Sequence, residues 1–372
     1  MAYSRRQVLA LVGGGTIVAA GAGAGWFVTS RTPERALAPW GAAGSYSEPR
    51  KRALSYAILA PNAHNLQPWR VDLREAGVVT VYRDPASALP QTDPHDRQIT
   101  ISLGCFLELL TIAATDTGHT LELTLFPQGQ AVTDPVARVR FRQSPTQSRD
   151  PLFAHILARR SCKEPFSEQL PNEDVLAPVR SLATVITEEA EVAALRAVTW
   201  QAWQIEAQTP RTHRESVELM RMGKAEINAQ PDGIDLGGPF LETLMLAGLL
   251  SREAQLDPSS QSYAQGVEIY RAMLAATPAY VLLSSPTNTR GDQIAAGRAW
   301  MRLNLTTTSL GLALHPVSQA LQEYAEMRDV RAQVHGRWAA PGATIQMLGR
   351  LGYGPQTPQT PRWPLEARER TV

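Results

Sequence analysis

Across 372 residues, 36 Lys+Arg stand against 35 Asp+Glu, a formal net charge of +1, which gives the chain no electrostatic reason to seek nucleic acid. Hydrophobic residues make up 44% and charged ones 19%; this excludes a disordered chain, and the length suits two domains or one duplicated unit. Two cysteines, Cys105 and Cys162, exclude a disulfide framework, and the seven histidines show no ligand spacing, so no protein-held metal is expected.

Residues 1–30 read as an address. Ser4-Arg5-Arg6-Gln7-Val8-Leu9 opens an uncharged run from Val8 to Val28, closed by Arg31. Paired arginines before an apolar run resemble a twin-arginine export signal. The expectation is export through the twin-arginine machinery to the periplasm or the outer face of the cytoplasmic membrane. The run is also about long enough to span a bilayer, and no clean small-x-small cleavage site follows, so an N-terminal membrane anchor is the competing reading. Gly13-Gly14-Gly15 and Gly21 to Gly25 do not have the spacing, or the preceding strand, of a dinucleotide fingerprint.

Residues 31–48, with Pro33 and Pro39, read as a linker. A helix is expected from Glu48 to Leu59, stopped before Pro61. Trp69–Leu73 and Val78–Tyr82 alternate around Gly77 and predict a β-hairpin. Residues 101–117 are apolar almost all round and predict a buried helix. Strands are expected at Leu121–Phe126 and Val136–Phe141. A second unit starts near Asp150, with helices over Pro151–Arg160, 172–183 and 190–207. Residues 208–262 read as irregular; a strand at Ala279–Ser284, a helix at Gly297–Leu310 and a strand at Ala343–Leu351 follow.

The two units have related layouts. Gly104 and Gly118 bracket one buried helix, Gly297 and Gly311 the other, at the same spacing. A tandem duplication is therefore expected, with repeats at 49–149 and 150–355, an insertion at about 200–275 in the second, and a C-terminal tail from 356 to 372.

Four segments carry chemistry: Pro61-Asn62-Ala63-His64-Asn65-Leu66-Gln67-Pro68-Trp69; Arg159-Arg160-Ser161-Cys162-Lys163; His315-Pro316-Val317-Ser318; and Arg350-Leu351-Gly352-Tyr353-Gly354. Together and in this order they resemble the nitroreductase family, and within it the duplicated, exported Acg-type FMN-binding branch. The resemblance implies an α+β fold working as an internal pseudo-dimer, a monomer that is its own dimer. It also implies FMN as cofactor, held by Arg159, Arg160, Ser161, Lys163 and Arg350 from one half and by Asn62, Ala63, Asn65 and Gln67 from the other. Ala63 departs from the serine common there. Pro316, Val317 and Ser318 match the loop along the isoalloxazine, and a non-proline N–H, from Val317 or Ser318, would have to face its N5.

Planar guanidinium groups suit a phosphate, an amide such as Asn65 suits the pyrimidine edge, and a cation near N1 favours the reduced ring. Read without the resemblance, the arginines could simply oppose a helix dipole, Asn65 could cap a turn, and Trp69 reads as core. His64 and His315 are modulators at most, since no side chain is expected to be catalytic in its own right.

The halves are unequal. The first has the amide loop but only Arg50-Lys51-Arg52 as a basic run; the second has Arg-Arg-Ser but only Trp200-Gln201-Ala202-Trp203 near the matching place. One FMN per chain is expected, with the insertion as a helical lid. The expected activity is reduction of a nitroaromatic or quinone-like acceptor, with NAD(P)H and a small aromatic molecule as partners. The alternative is a binding protein that sequesters FMN.

Overall fold

The computed structural model describes residues 30–370, so the Arg5-Arg6 signal and the glycine run that follows lie outside the described residues. The expected linker is a helix, α1 (Glu34–Ala42), which buries Ala36 and Trp40. Pro33 sits at its N-cap, outside the hydrogen-bonded turns, and only Pro39 interrupts it. Next comes α2 (Pro49–Ala57), capped by the Glu48 carboxylate on the N–H groups of Arg50 and Lys51. The hairpin forms as expected from β1 (Trp69–Asp72) and β2 (Val78–Arg83), with Trp69 opposite Arg83. Arg50 holds its turn by donating from Nη1 to the carbonyls of Leu73, Glu75 and Val78.

Helix α3 (Arg97–Ala114) is buried along nearly its whole length. It is the one helix among the described residues long and apolar enough to cross a membrane, and it is the core of the first half. Strands β3 (His119–Leu125) and β4 (Pro135–Gln143) complete an antiparallel sheet in the order β1-β2-β4-β3. The helix expected over Pro151–Arg160 is only a 3-10 turn, Pro151–His155, because the chain then leaves to line the neighbouring sheet.

The second half opens with α4 (Glu173–Arg180), β5 (Thr184–Ile186) and α5 (Glu189–Gln208). The region expected to be irregular is mostly short helices: α6 (Pro210–Glu218), α7 (Gly223–Ala229), α8 (Pro239–Leu246), α9 (Arg252–Leu256) and α10 (Gln261–Ala275). A parallel pair, β6 (Met220–Met222) and β7 (Ile234–Leu236), joins them. Pro210 and Pro239, which looked like breaks, are first residues of helices, where a missing N–H costs nothing. Then come β8 (Ala279–Ser285), α11 (Arg290–Ser309), β9 (Ala313–Pro316), α12 (Arg328–Trp338) and β10 (Thr344–Gly352). The second sheet has the order β5-β8-β10-β9, also antiparallel. The fold is therefore α+β, and each half runs helix, two strands, buried helix, two strands around a sheet of like order.

The halves meet where α3 crosses α11, at Gly104 and Gly297. A Cβ on Gly104 would lie 2.3 Å from the Ile294 carbonyl oxygen, and one on Gly297 would lie 2.0 Å from that of Ile101. Only glycine permits that backbone approach. Beside the crossing, buried Glu108 accepts from Arg298 Nε at 2.6 Å and Arg302 Nε at 2.5 Å, tying the same two helices through charge-assisted bonds. Cys105 Sγ donates to the Gly297 carbonyl, and neither cysteine is in a disulfide.

Gly104→Ala is expected to destabilise the fold by at least about 2 kcal/mol, because the clash is with backbone that cannot yield. Gly41→Ala, with nothing within 4 Å of the new methyl, should stay within about 0.5 kcal/mol of the parent. Urea unfolding midpoints of the two variants check this pair.

Candidate functional site: a buried arginine cluster beside a strained amide loop

The loop from Asn62 to Gln67 is strained. His64, Asn65 and Gln67 have φ of 46°, 56° and 51°, in the left-handed region that costs non-glycine residues free energy and clusters at functional sites. Its restraints are local. Asn62 Oδ1 accepts the Gln67 N–H at 2.7 Å, and Asn62 Nδ2 donates to the Ala60 carbonyl. The Ala63 N–H donates to Ser102 Oγ on α3 at 3.0 Å. Trp69, just beyond, is fully buried and stacks on Phe106 at 4.9 Å, a core residue as read.

The C-terminal segment clamps this loop. Asn65 Nδ2 donates to the Pro361 carbonyl at 3.1 Å, and Asn65 Oδ1 accepts from Arg362 Nη1 at 2.5 Å. Buried Gln67 accepts the Trp363 N–H at 2.8 Å and donates to the Pro231 carbonyl at 2.7 Å. The insertion therefore touches the loop directly, and the Gly233 N–H also reaches the Asn65 carbonyl at 3.3 Å. Trp363 Nε1 donates in turn to Asp232. The amides of Asn62, Asn65 and Gln67 are thus spent inside the protein, which corrects the expectation that Asn65 presents its amide to a flavin edge.

The cationic segment comes to the same place. Arg159, buried, donates from Nη2 to the Leu59 carbonyl at 3.1 Å, and Arg362 Nη2 donates to that same oxygen at 3.2 Å and to Ala60 at 3.2 Å. Arg160 lies over the Trp40 ring at 4.7 Å, and Arg362 over the same ring at 5.7 Å. Ser161 is half-buried between Arg160 and Cys162, whose N–H donates to the Leu314 carbonyl, so the segment runs along the outer edge of β9. Lys163 is near enough to His64 to repel its proton. The first two of the four segments therefore converge, and the third begins beside the second, where Leu314 accepts the Cys162 N–H.

Three of the arginines are unusual in lacking a counter-charge. Arg159, Arg160 and Arg362 form no ion pair among the described residues, and Arg159 Nη1, Arg160 Nε and Arg362 Nε are buried with no hydrogen-bond partner. Desolvation pushes the Arg362 pKa down to about 9, helped by repulsion from Arg159 and Arg160, although Asp235 opposes it. Desolvation first, then Arg160, brings Arg159 to about 10. Burying unpaired guanidinium groups costs free energy unless an anion answers them. The orphaned donors fit a phosphate.

Arg350 is not part of that cluster. It is fully buried over the Phe166 ring at 4.1 Å. Nε donates to Thr277 Oγ1 at 2.8 Å, Nη1 meets His315 Nδ1 at 3.3 Å, and Nη2 donates to the carbonyls of Glu164 and Ala276. It fastens β10 to the segment after Lys163, and Arg362, not Arg350, lies beside Arg159 and Arg160. His315 is buried against it as a structural partner. The N–H of Val317 is likewise spent, on the Leu348 carbonyl at 2.9 Å. Of the loop Pro316-Val317-Ser318, only Ser318, which opens a short 3-10 turn, keeps an N–H outside the ladder.

Arg50 holds the hairpin, Lys51 pairs with Glu369 and Arg52 with Asp116, so that basic run is consumed. Trp200 of α5 stacks on Trp203, which in turn stacks on Tyr270 of α10. Two cavities, of about 380 and 480 Å³, lie away from the Arg159–Lys163 segment. Arg362, Trp363 and Trp40 were not singled out from sequence. The only signal was an Arg-Trp pair fenced by Pro361 and Pro364, in a tail otherwise composed like a linker.

No family model matches the chain. Two proteins of Mycobacterium tuberculosis align along nearly its whole length. One carries the provisional name NAD(P)H nitroreductase Rv3131, at 27% identity over 85% of this chain and 89% of its own. The other, the uncharacterized Rv3127, matches at 27% identity over 85% of this chain and 91% of its own. More narrowly, the acg protein of that organism, also provisionally named an NAD(P)H nitroreductase, is 29% identical over 39% of this chain and 44% of its own. Among solved structures, the FMN-dependent nitroreductase NfnB from Mycobacterium smegmatis in complex with NADPH shares 18% identity, with a TM-score of 0.35 over 57% of this chain and 94% of that one. A nitroreductase-like family protein from Bacillus cereus shares 12% identity, with a TM-score of 0.31 over 60% of this chain and 96% of that one. The chain is thus a relative of proteins named as nitroreductases, the acg protein among them, as its motifs suggested.

His64 offers a pH handle. It is half-buried, and desolvation first and then Lys163 push its pKa from 6.5 down to about 4. A histidine whose folded pKa is depressed leaves the fold at full stability above the unfolded value and weakens it as pH falls. Up to about 3 kcal/mol should therefore disappear between pH 6.5 and 4. His64→Asn, which keeps a residue tolerant of positive φ, is expected to flatten the slope of unfolding free energy in that window. Urea titrations of both proteins across the window measure it.

Proposed function

We propose that the chain is an FMN-binding oxidoreductase of the nitroreductase type, with one FMN per chain in the cleft between its two halves and the phosphate on Arg159, Arg160 and Arg362. The observation that carries this is the clustering of three arginines that form no ion pair among the described residues, each with a buried guanidinium N–H left without a hydrogen-bond partner. When bound, FMN would supply hydride transfer to a nitroaromatic or quinone-like acceptor. The chain's own contribution is binding and electrostatics. The arginines neutralise a dianion, Ser161 adds a hydroxyl, the Ser318 N–H is free of the sheet ladder, and His64 stays neutral beside Lys163 at physiological pH.

The reading of the halves as tandem repeats is supported by their like sheet orders and by the glycine-to-glycine helix crossing. Consumption of Arg50, Lys51 and Arg52 elsewhere supports a single site. Contacts of Pro231 and Gly233 with the strained loop support the insertion as a lid. The paired arginines of the N-terminus support twin-arginine export, with the apolar run holding the protein at the outer face of the cytoplasmic membrane.

The second reading, sequestration of FMN with little turnover, is favoured by one thing: Arg362, Trp363 and the Pro231 turn are bonded over the loop, which would restrict access of a nicotinamide. Two measurements on the purified full chain decide. At a hundredfold excess over Kd, FMN should stabilise by about 3 kcal/mol, a rise in Tm of several degrees. Riboflavin, lacking the phosphate, should bind at least about tenfold more weakly, and Arg362→Gln should lose the FMN advantage. Equal affinity for the two flavins would remove the phosphate assignment. Anaerobic NADH or NADPH then separates the readings: bleaching of the yellow protein means a reductase, persistent oxidised flavin a store.

A further inference from the structure

Helix α8 and the turn after it form an apolar surface that the site does not use. Pro239 to Leu250 contains one charged residue, Glu242, and that carboxylate is buried and paired with Arg31 at 3.0 Å. Leu246 and Leu249 are 74% and 59% exposed, the two most exposed large hydrophobic side chains among the described residues. The turn is well held: Gly248 has φ of 71°, the Gly248 N–H donates to the Met245 carbonyl, and the Leu249 N–H donates to that of Leu244. Leu250 is buried behind it. A single exposed leucine needs no explanation, but two at the tip of a nearly uncharged helix and turn do.

The chain outside the described residues leaves from the same spot. Arg31 meets α8 at Glu242, and the Ser30 carbonyl accepts from Lys224 Nζ at 2.8 Å. The uncharged run Val8–Val28, long enough to span a bilayer, therefore begins within a few residues of α8. Arg31 is neutralised there by Glu242, which leaves Lys224 as the cation at that junction. An apolar helix tip beside a bilayer-length apolar run is the chemistry of an interfacial membrane contact.

We propose that Leu246 and Leu249 enter the lipid surface in which the N-terminal run is anchored, so that the protein is held to the bilayer at two adjoining points and in one orientation. This rests on the anchor reading above. Both native thiols are buried, so Leu249→Cys in the full chain can be labelled alone with an environment-sensitive fluorophore. The protein is then added to vesicles of phosphatidylethanolamine and phosphatidylglycerol. The expected result is co-sedimentation, a blue-shifted emission, and loss of about half or more of that emission to a spin label at the headgroup–acyl boundary. A second substitution, Leu246→Ser, should weaken both the shift and the quenching. Co-sedimentation with emission unchanged from water would leave the anchor standing and overturn the contact. No co-sedimentation would overturn the anchor reading and the contact with it. A blue shift that grows with protein concentration without vesicles would assign the surface to a second copy and overturn the lipid assignment.

Discussion

Because Gly104 and Gly297 have no side chains, α3 and α11 touch backbone to backbone, and every longer-range arrangement follows from that approach. The two sheets are brought onto opposite sides of one helical layer. Arg97, at the start of α3, can then reach across to the carbonyls of Gln346 and Leu321 on the second half, at 2.7 and 2.9 Å. Glu108 can hold two arginines of α11 at once. A wider crossing would break these bonds and would also separate the amide loop from Arg159. The contact that makes the core is therefore also the one that brings the amide loop to Arg159.

The place where the loop, Arg159 and the C-terminal segment meet carries unanswered charge. Elsewhere in the chain buried cations have partners: Arg221 has Asp232, Arg368 has Asp84, and Arg97 has Glu323. Arg159, Arg160 and Arg362 have no carboxylate in an ion pair among the described residues, and burial lowers their basicity as it lowers that of paired Arg97 and Arg368. Strained backbone lies alongside, at His64, Asn65 and Gln67. Two kinds of local cost thus fall in one place, a combination that clusters at functional sites.

Much of this was legible in the chain itself. The period-two alternation around Gly77 gave the hairpin, and the uniformly apolar run at 101–117 gave the buried helix, since burial on all sides leaves no room for polar residues. The glycine spacings shared by the halves pointed to their parallel layout. The illegible parts share a cause: proline. Pro33, Pro210 and Pro239 open helices rather than end them, and Pro361 and Pro364 hold an extended segment that packs rather than drifts. Proline fixes one dihedral angle and is silent on whether tertiary contacts will use it. The inward placement of Arg350 was also not legible. A strand-end arginine and a tail arginine look alike in sequence, and only the pairing of β10 with β9 shows that the first points inward, to His315 and Thr277.

The clamp of residues 360–363 on a loop 300 positions earlier has a consequence for biogenesis. Nearly the whole polypeptide must be made before Asn65 and Gln67 acquire their mates, so the nascent chain can build both sheets while the strained loop still lacks its clamp. Restraint of that loop is therefore among the last steps of synthesis, and a chain ending before Pro361 would lack it.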